Sequence, residues 1–456
     1  MQNEELLRRE YPDKLRGMID KHQFRELRGA LSMLEPQDIA IVAEEMEDNE
    51  IVRLYRLLPK ETAAEVFVEM SPAHQEALIR MFTDNELRTV LDELYIDDTV
   101  DIIEEMPANV VKRILLTTDP ASREAINTIL RYPKDSAGSI MTTEYVRLGK
   151  DMTVEQSFDR IRKEGVDKET IYTCYVTEKD RTLIGLVTVR DLLLSDKEAL
   201  IGDIMTTNVI SVDTDEDKEH VAQTMTKYDF LAIPVVDHGG RLVGIVTYDD
   251  AADVIQDEMT EDIEKMAAIV PTDKPYLATG VFETWKKRIP WLLLLMVSAT
   301  FTSLILSHYE SSLAVVPILT IFIPMLMDTA GNAGSQASVT IIRGLSLGEL
   351  HVSDVLRVIW KELRVAVLCG VSLSAVSFAK VTLLDGATVL QGLAVAMTLC
   401  VTILAAKMVG CTLPLLAKKL KLDPAVMASP FITTIVDVLS LLIYFAVASA
   451  VLPELA

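Results

Sequence analysis

FITTIVDVLSLLIYFAVASAVL, residues 431–452, is a largely apolar run with one charged residue, Asp437. About 20 apolar residues in a helix cross a hydrocarbon layer of ~30 Å, so this run is long enough to span a membrane. A lone acid at mid-membrane costs roughly 2.5–3.5 kcal/mol on insertion scales, and such residues face a water-filled path or a partner. Asp437 therefore points first to cation movement.

Working outward, four more segments read as spans: about 290–309, 313–333, 358–382 and 387–414, with the last at 426–452. Lys361, Glu362 and Arg364 open the third, so its apolar core begins near Val365. Basic residues flank the spans unevenly. Lys286, Lys287 and Arg288, then Arg343, Arg357, Lys361 and Arg364, then Lys418, Lys419 and Lys421 fall on one side of a five-span bundle. The other side carries Lys380 with Glu310 and Asp385. The positive-inside rule places the N-terminus in the cytoplasm and the C-terminus outside. The second span ends in IPMLMDTAGNAGSQAS, where Pro324, Gly331 and Gly334 predict a weakened helix. Broken backbone at membrane depth is tolerated beside water or inside protein. There, freed carbonyls with Asn332, Gln336 and Asp328 would offer oxygens to a cation. Close helix packing through small residues is the alternative reading of the same glycines.

The charge is concentrated ahead of the spans. Of the formal net charge of −24, residues 1–280 carry −26 and residues 281–456 carry +2. So acidic a soluble half repels nucleic acid. It fits either plain solubility or polyvalent cation binding. The start, MQNEELLRRE, has no apolar core of a signal peptide, which keeps this half cytoplasmic. Cys174, Cys369, Cys400 and Cys411 form no CxxC pair, so neither a disulfide framework nor a zinc site is expected. No nucleophile–base constellation or phosphate loop suggests an enzyme, and the scattered histidines, His74 and His220 among them, read as surface groups.

Residues 31–120 repeat at about 12 residues, as in EPQDIAIVAEEM, PKETAAEVFVEM and YIDDTVDIIEEM. A capping residue or Pro opens each unit and apolar residues follow at helical spacing, the pattern of short helices stacked into a solenoid. Residues 136–255 turn β-rich and hold two copies of one unit. SIMTTEYVRLGKDMTVEQSFDRI aligns with DIMTTNVISVDTDEDKEHVAQTM, and LIGLVTVRDLL with LVGIVTYDDAA. This is the pattern of paired CBS modules, with Gly185, Thr188 and Asp191 repeated as Gly244, Thr247 and Asp250. In that family the Thr and Asp hold a nucleotide's ribose and phosphate, so ATP or another adenine nucleotide is a candidate cofactor. Thr-x-x-Asp is equally a helix N-terminal cap. Residues 251–285 begin as an acidic amphipathic helix that either transmits a rearrangement to the first span or merely links.

In this order, these parts resemble the MgtE family of bacterial magnesium transporters. The resemblance rests most on Pro324 with Gly331, Asn332, Gly334 and Gln336, and on Pro430 seven residues before Asp437. It implies a multidomain fold: an all-α superhelical N domain (1–132), an α/β tandem CBS domain (133–255), a linking or plug helix (256–285) and an all-α five-helix transmembrane domain (286–456). It further implies a homodimer in the bacterial inner membrane, with the pore on its axis lined by the second and fifth spans. Mg²⁺ would be held as a hydrated ion by paired Asp437 carboxylates and Thr433. Asp328 and Ser429 would lie along the path. Ser429 stands where the family often has Asn, and Ala330 replaces the first glycine of a Gly-Gly-Asn triplet.

The resemblance also implies a cytosolic Mg²⁺ sensor. Asp97, Asp98 and Asp101 would face Asp250 and Asp253, with Asp217, Asp229, Glu258, Glu261 and Asp262 in the equivalent CBS and plug-helix stretches. Two other classes compete: a CBS-regulated secondary transporter using Asp437 as a proton or sodium relay, and a membrane-anchored nucleotide sensor that moves nothing.

Overall fold

The computed structural model describes residues 7–272, 276–277, 279–427 and 429–455, without the side chains of Asp167 and Ser429. It divides into two compact units, residues 1–255 and 256–456.

The first unit opens with ten described helices: α1 (Tyr11–Asp20), α2 (Phe24–Leu31), α3 (Pro36–Ala43), α4 (Asp48–Tyr55), α5 (Lys60–Val68), α6 (Pro72–Met81), α7 (Asp84–Leu91), α8 (Ile96–Glu105), α9 (Ala108–Thr117) and α10 (Pro120–Ile129). Each is too short to hold alone in water. Local chemistry marks their starts: Pro36, Pro72 and Pro120 sit in first turns, and Glu47/Glu50 and Thr83/Glu86 form capping boxes. Tertiary packing supplies the rest. The repeat is more regular than its reading, since the Asp48 helix fills a gap between the predicted starts at residues 35 and 59.

Two α/β modules follow. The first holds β1 (Tyr145–Leu148), α11 (Val154–Glu164), β2 (Thr170–Thr177), β3 (Leu183–Thr188), α12 (Val189–Leu194) and α13 (Ile201–Ile204). The second holds β4 (Val212–Asp213), α14 (Lys218–Tyr228), β5 (Ala232–Val236), β6 (Leu242–Thr247) and α15 (Tyr248–Met266). Both sheets have the same order, parallel then antiparallel: β1-β2-β3 and β4-β5-β6. The twin SIMTT and DIMTT segments cross over. Thr142 bridges Ile245 in the second module and Thr206 bridges Leu186 in the first. A Cβ at Gly244 would stand 2.8 Å from the Thr142 carbonyl oxygen, and one at Gly185 3.1 Å from that of Thr206, so glycine admits each crossing segment. The second module shares one apolar core with the helical repeat, through Val212, Val221, Ile233, Val246 and Val254. The first keeps its own, around Val146, Cys174 and Val187.

The second unit consists mainly of long helices: α16 (Val281–His308), the short α17 (Glu310–Val315), α18 (Leu319–Ser346), α19 (Val355–Leu383), α20 (Val389–Lys419) and α21 (Ser429–Val451). Four of the five long ones are apolar and long enough to cross a membrane. The exception is α18, of 28 residues, which carries a polar stripe. Its bounds differ from the expected 313–333, because α17 ends first and α18 runs thirteen residues further. The predicted break does not occur: α18 is continuous through Pro324, Gly331 and Gly334. Early in a helix, proline removes one backbone bond, and both glycines are buried against neighbours rather than opening the backbone. A core of Leu319, Phe322, Leu326, Val395, Ile403, Leu441 and Phe445 joins α18, α20 and α21. The buried Tyr444 hydroxyl donates to the Leu319 carbonyl oxygen at 2.9 Å. In contrast, α16 buries no residue in the single chain, as expected of a helix clothed by lipid.

Candidate cation sites

On α18 the small residues and the polar residues take opposite faces. Ala330, Gly331, Ala333, Gly334, Ala337 and Ser338 are buried. Pro324, Asp328, Asn332 and Gln336, spaced by four, form one exposed stripe. Glycine contacts explain the buried face. A Cβ at Gly331 would meet Thr433 Cγ2 at 2.7 Å, and one at Gly334 would meet Ile432 Cγ2 at 2.9 Å and the Ala406 carbonyl oxygen at 3.1 Å. The closest approach is at Gly410 of α20, where a Cβ would collide with the Gly334 carbonyl oxygen. Gly331 and Gly334 are thus placed for packing, the second of the two readings, and the residues this helix exposes carry side-chain oxygens instead.

On α21, Thr433 packs against Gly331, and one turn on lies a half-buried Asp437. The Thr433 hydroxyl donates to the Pro430 carbonyl oxygen at 3.1 Å. Asp328 is an electrostatic neighbour of Asp437, so two helices each bring a carboxylate to one place. Ser429 opens α21, and its side chain lies outside the described residues. Just before α21, the Met427 carbonyl oxygen accepts from Ser338 Oγ of α18 at 3.3 Å.

A second acidic site lies in the first unit, where α8 meets the start of α15. Asp97 is 7% exposed, and its Oδ1 is buried without a hydrogen-bond partner. Burial, then Asp250, Asp98 and Glu169, hold its carboxyl well above the usual range. Asp98 is pushed up to about 6 by burial and then by Asp249 and Glu144. Asp250 is raised to about 7, chiefly by burial, against a 2.5 Å hydrogen bond from Thr247 Oγ1 that favours its charged form. Asp101 is raised too, by desolvation and then Asp250 and Asp98, although its side chain is open to solvent on one side.

Sequence reading missed three members of this set. Glu169 is raised to about 8 by burial and then Asp98, Asp249 and Asp250, and its Oε2 is also a buried orphan. Glu144 reaches the same place, where its Oε2 accepts from the Ile96 backbone N–H at 3.0 Å. Asp249 precedes Asp250 in the chain. The first module's Glu144 and Glu169 belong to loops whose proximity to α8 only the fold reveals. Buried carboxylate oxygens without donors, among like charges, are an arrangement that a bound divalent cation would satisfy.

The remaining predicted acids take other positions. Asp217 caps α14, accepting from the Glu219 N–H at 2.9 Å, and Asp229 ends it in a left-handed conformation with φ 55°; both are exposed. Asp253 lies one turn after Asp250 on α15. In the second unit, Glu258, Glu261 and Asp262 share one face of α15. Asp262 accepts from Ser346 Oγ of α18 at 3.0 Å, and burial raises its carboxyl against that bond. Lys265 pairs with Glu261 and, at 2.7 Å, with Asp423 ahead of α21. The end of α15 is therefore tied directly to the helices that carry the polar stripe and Asp437.

The CBS Thr and Asp pairs cap helices. Thr188 Oγ1 donates to Asp191 Oδ2 at 2.6 Å and accepts from the Asp191 N–H, closing a capping box. Asp250 combines the cap with membership of the acid cluster. A further group, Asp213, Asp215 and His238, lies at the surface of the second module, where the imidazole is held by both carboxylates at 3.1 and 3.3 Å.

A membrane-spanning helical unit behind a helical repeat and a CBS pair, with carboxylates converging at both levels, defines a multi-pass membrane protein built to handle cations. Family models agree along the chain. The model described as divalent cation transporter matches residues 323–447, the MgtE intracellular N domain matches 34–135, and CBS domains match 137–198 and 201–257. The magnesium transporter MgtE of Thermus thermophilus is 38% identical over 96% of this chain and 98% of its own, and that of Bacillus subtilis 33% identical over 95% of each. The crystal structure of the cytosolic domain of the Mg²⁺ channel MgtE in complex with ATP superposes with a TM-score of 0.51 at 37% identity, covering 53% of this chain and 99% of that one. The chain belongs to the MgtE family.

Proposed function

We propose that this chain is a Mg²⁺-selective channel for magnesium uptake, working as a homodimer in a bacterial plasma membrane with its N-terminus in the cytoplasm. The observation that carries the proposal is the nearness of Asp437 on α21 to Asp328, which belongs to the exposed Asp328–Asn332–Gln336 stripe of α18. A second copy set against that face would enclose a path with two Asp437 side chains opposed. Carboxylates ~6–8 Å apart repel by about 2–3 kcal/mol at an effective dielectric of 20, and a dication relieves this better than a monovalent ion. Mg²⁺ sheds water reluctantly, so oxygen-rich walls that accept its hydration shell suit it. Relatives named as magnesium transporters at 33–38% identity along nearly the whole chain support the choice of ion.

Gating follows from the cytosolic acids. Without Mg²⁺ the cluster of Asp97, Asp98, Asp101, Asp249, Asp250, Glu144 and Glu169 repels itself and loosens. With Mg²⁺ it closes, and α15 carries the change into the membrane helices through Asp262–Ser346 and Lys265–Asp423. Moving a gate from 1:99 to 99:1 takes about 5.5 kcal/mol. One site at ten times its Kd supplies only about 1.4 kcal/mol, so about four ions must act together, which also makes the response steep. ATP bound to a relative's cytosolic domain supports nucleotide modulation at the CBS pair, alongside the helix-capping role of Thr188.

Liposome flux of purified protein, with Mg²⁺ titrated on the cytosolic side, tests both parts. Channel function predicts saturable Mg²⁺ flux that shuts off steeply as cytosolic Mg²⁺ rises. Flux that requires a proton or sodium gradient would favour a relay transporter instead.

A further inference from the structure

Lys407 is the only charged residue in LAVAMTLCVTILAAKMVGCTLPLL, residues 393–416. Its side chain is 6% exposed, and its Nζ lies 3.5 Å from Oε2 of Glu362 on α19, itself 12% exposed. That oxygen is buried and has no hydrogen-bond partner. A buried ion pair without supporting hydrogen bonds is a poor source of stability, and an ionisable residue inside a membrane helix calls for a functional reason.

The neighbours of Lys407 suggest one. Ala406 and Gly410 lie near it on α20, and both come into close contact with Gly334 of α18. Gly334 packs onto the Ala406 carbonyl, and Gly410 packs onto the Gly334 carbonyl. On its far side Gly334 meets Ile432 and Val436, the residue before Asp437. An apolar cluster of Ile341, Leu345, Val358, Cys411 and Leu415 draws together the same three helices, α18, α19 and α20. Contacts between glycines and backbone are unforgiving of rotation: turning α20 by a fraction of a residue either clashes with α18 or releases it.

We propose that Glu362 and Lys407 form a charge clasp that fixes the rotation of α20 and thereby positions α18 and α21 for cation passage. They are positioning residues, both buried between α19 and α20 and absent from the exposed polar stripe of α18. The inference rests on the reading of Asp437 as the ion-binding acid. A neutral or apolar pair would hold two helices together as well. A pair of opposite charges adds one preferred rotation, because turning away leaves both charges stranded in a low-dielectric interior.

The test uses full-length protein in liposomes, with E362Q, K407M, the double variant E362Q/K407M, the swap E362K/K407E, and D437N as control. The readouts are the half-saturating Mg²⁺ concentration and the Mg²⁺ to Co²⁺ uptake ratio, measured on protein that elutes as a single folded species. Each folded single variant and the double variant should shift one or both by about threefold or more, the scale of remote positioning effects. The swap should move them back toward the parent. A folded double variant with parental half-saturation and ratio overturns the clasp, and it is the variant most able to fold if the singles cannot, because it strands no charge. Undiminished Mg²⁺ flux in D437N would overturn the ion-path reading, and the clasp with it. Lost flux in D437N beside a parental double variant sinks the clasp alone.

Discussion

An acid cluster in the first unit and an ion pair in the membrane unit set buried carboxylates in different company. In the membrane unit, two acids away from the proposed path have cationic partners: Glu362 has Lys407, and Asp423 has Lys265. In the first unit, the strongest charges acting on Asp97, Asp98, Asp101, Asp250 and Glu169 are all negative. Asp437 resembles the cytosolic set, because its charged neighbour is another acid, Asp328. Glu362 sits beside a base, whereas the acids of the first-unit cluster gather beside one another, and on the reading proposed above such a gathering awaits a cation. The contrast separates paired from clustered carboxylates where burial does not, since Glu362 and Asp97 are both buried.

The sharpest challenge is Asp437→Asn. Removing the central charge should lower Mg²⁺ flux by about 100-fold, since every 1.36 kcal/mol of lost stabilisation is tenfold in rate, while the protein still folds and inserts. Near-normal flux would erase the likeness between the two acid sites. Next in size is the joint neutralisation of Asp98, Asp250 and Glu258. That variant should keep transporting at cytosolic Mg²⁺ levels that shut the parent, with the closing concentration raised by about tenfold or more. Normal closure would leave the cytosolic acids without a sensing role.

A smaller effect is expected from Gly410→Ala, whose new Cβ would collide with the backbone of Gly334. Overpacking of this kind costs about 1–3 kcal/mol and should lower the melting temperature of the membrane unit. Gly17→Ala, with nothing within 4 Å of the added atom, should leave melting of the protein nearly unchanged. Equal behaviour of the two would mean that α18 and α20 are not in close contact.

The pH dependence of the cytosolic region comes next. Asp98, Asp250 and Glu169 keep their protons to about 6, 7 and 8 in the fold, but release them near pH 4 when unfolded. Between those values the folded state binds more protons, so its stability is greatest below about pH 4 from these groups and falls as pH rises through about 6–8. Without Mg²⁺, the cytosolic region should melt at a higher temperature at about pH 5.5 than at about pH 8, and saturating Mg²⁺ should narrow the gap. A flat profile would show that these acids are not crowded. Smallest of all, Thr188→Ala should cost about 1 kcal/mol through the lost cap. Isothermal titration with ATP then distinguishes a cap that also binds nucleotide from one that does not.

Much of this was legible in the chain. Spans, the helical repeat and the doubled β-α unit are periodic patterns in hydrophobicity, and periodicity survives without coordinates. Asp437 stood out because a charge amid apolar residues is costly wherever it lies. Lys407, in an equally apolar run, escaped notice because its meaning depends on Glu362, 45 positions earlier and on another helix. Glu144 and Glu169 are ordinary acids in a strongly acidic half, and nothing local separates them from solvated neighbours. The glycines of α18 were read as a break because sequence offers two uses for them, flexibility and close packing. The presence of Thr433, Ile432 and the Ala406 carbonyl within reach selects the second.

Composition and spacing along the chain were enough to establish a membrane-spanning helical bundle behind an acidic, repeat-built soluble part, and to nominate one acid in it. Which carboxylates stand together, which are matched by a base, and which face of α18 is open were settled by packing. These are distances between residues far apart in the chain, and electrostatic energy depends on distance through space rather than on position along the backbone.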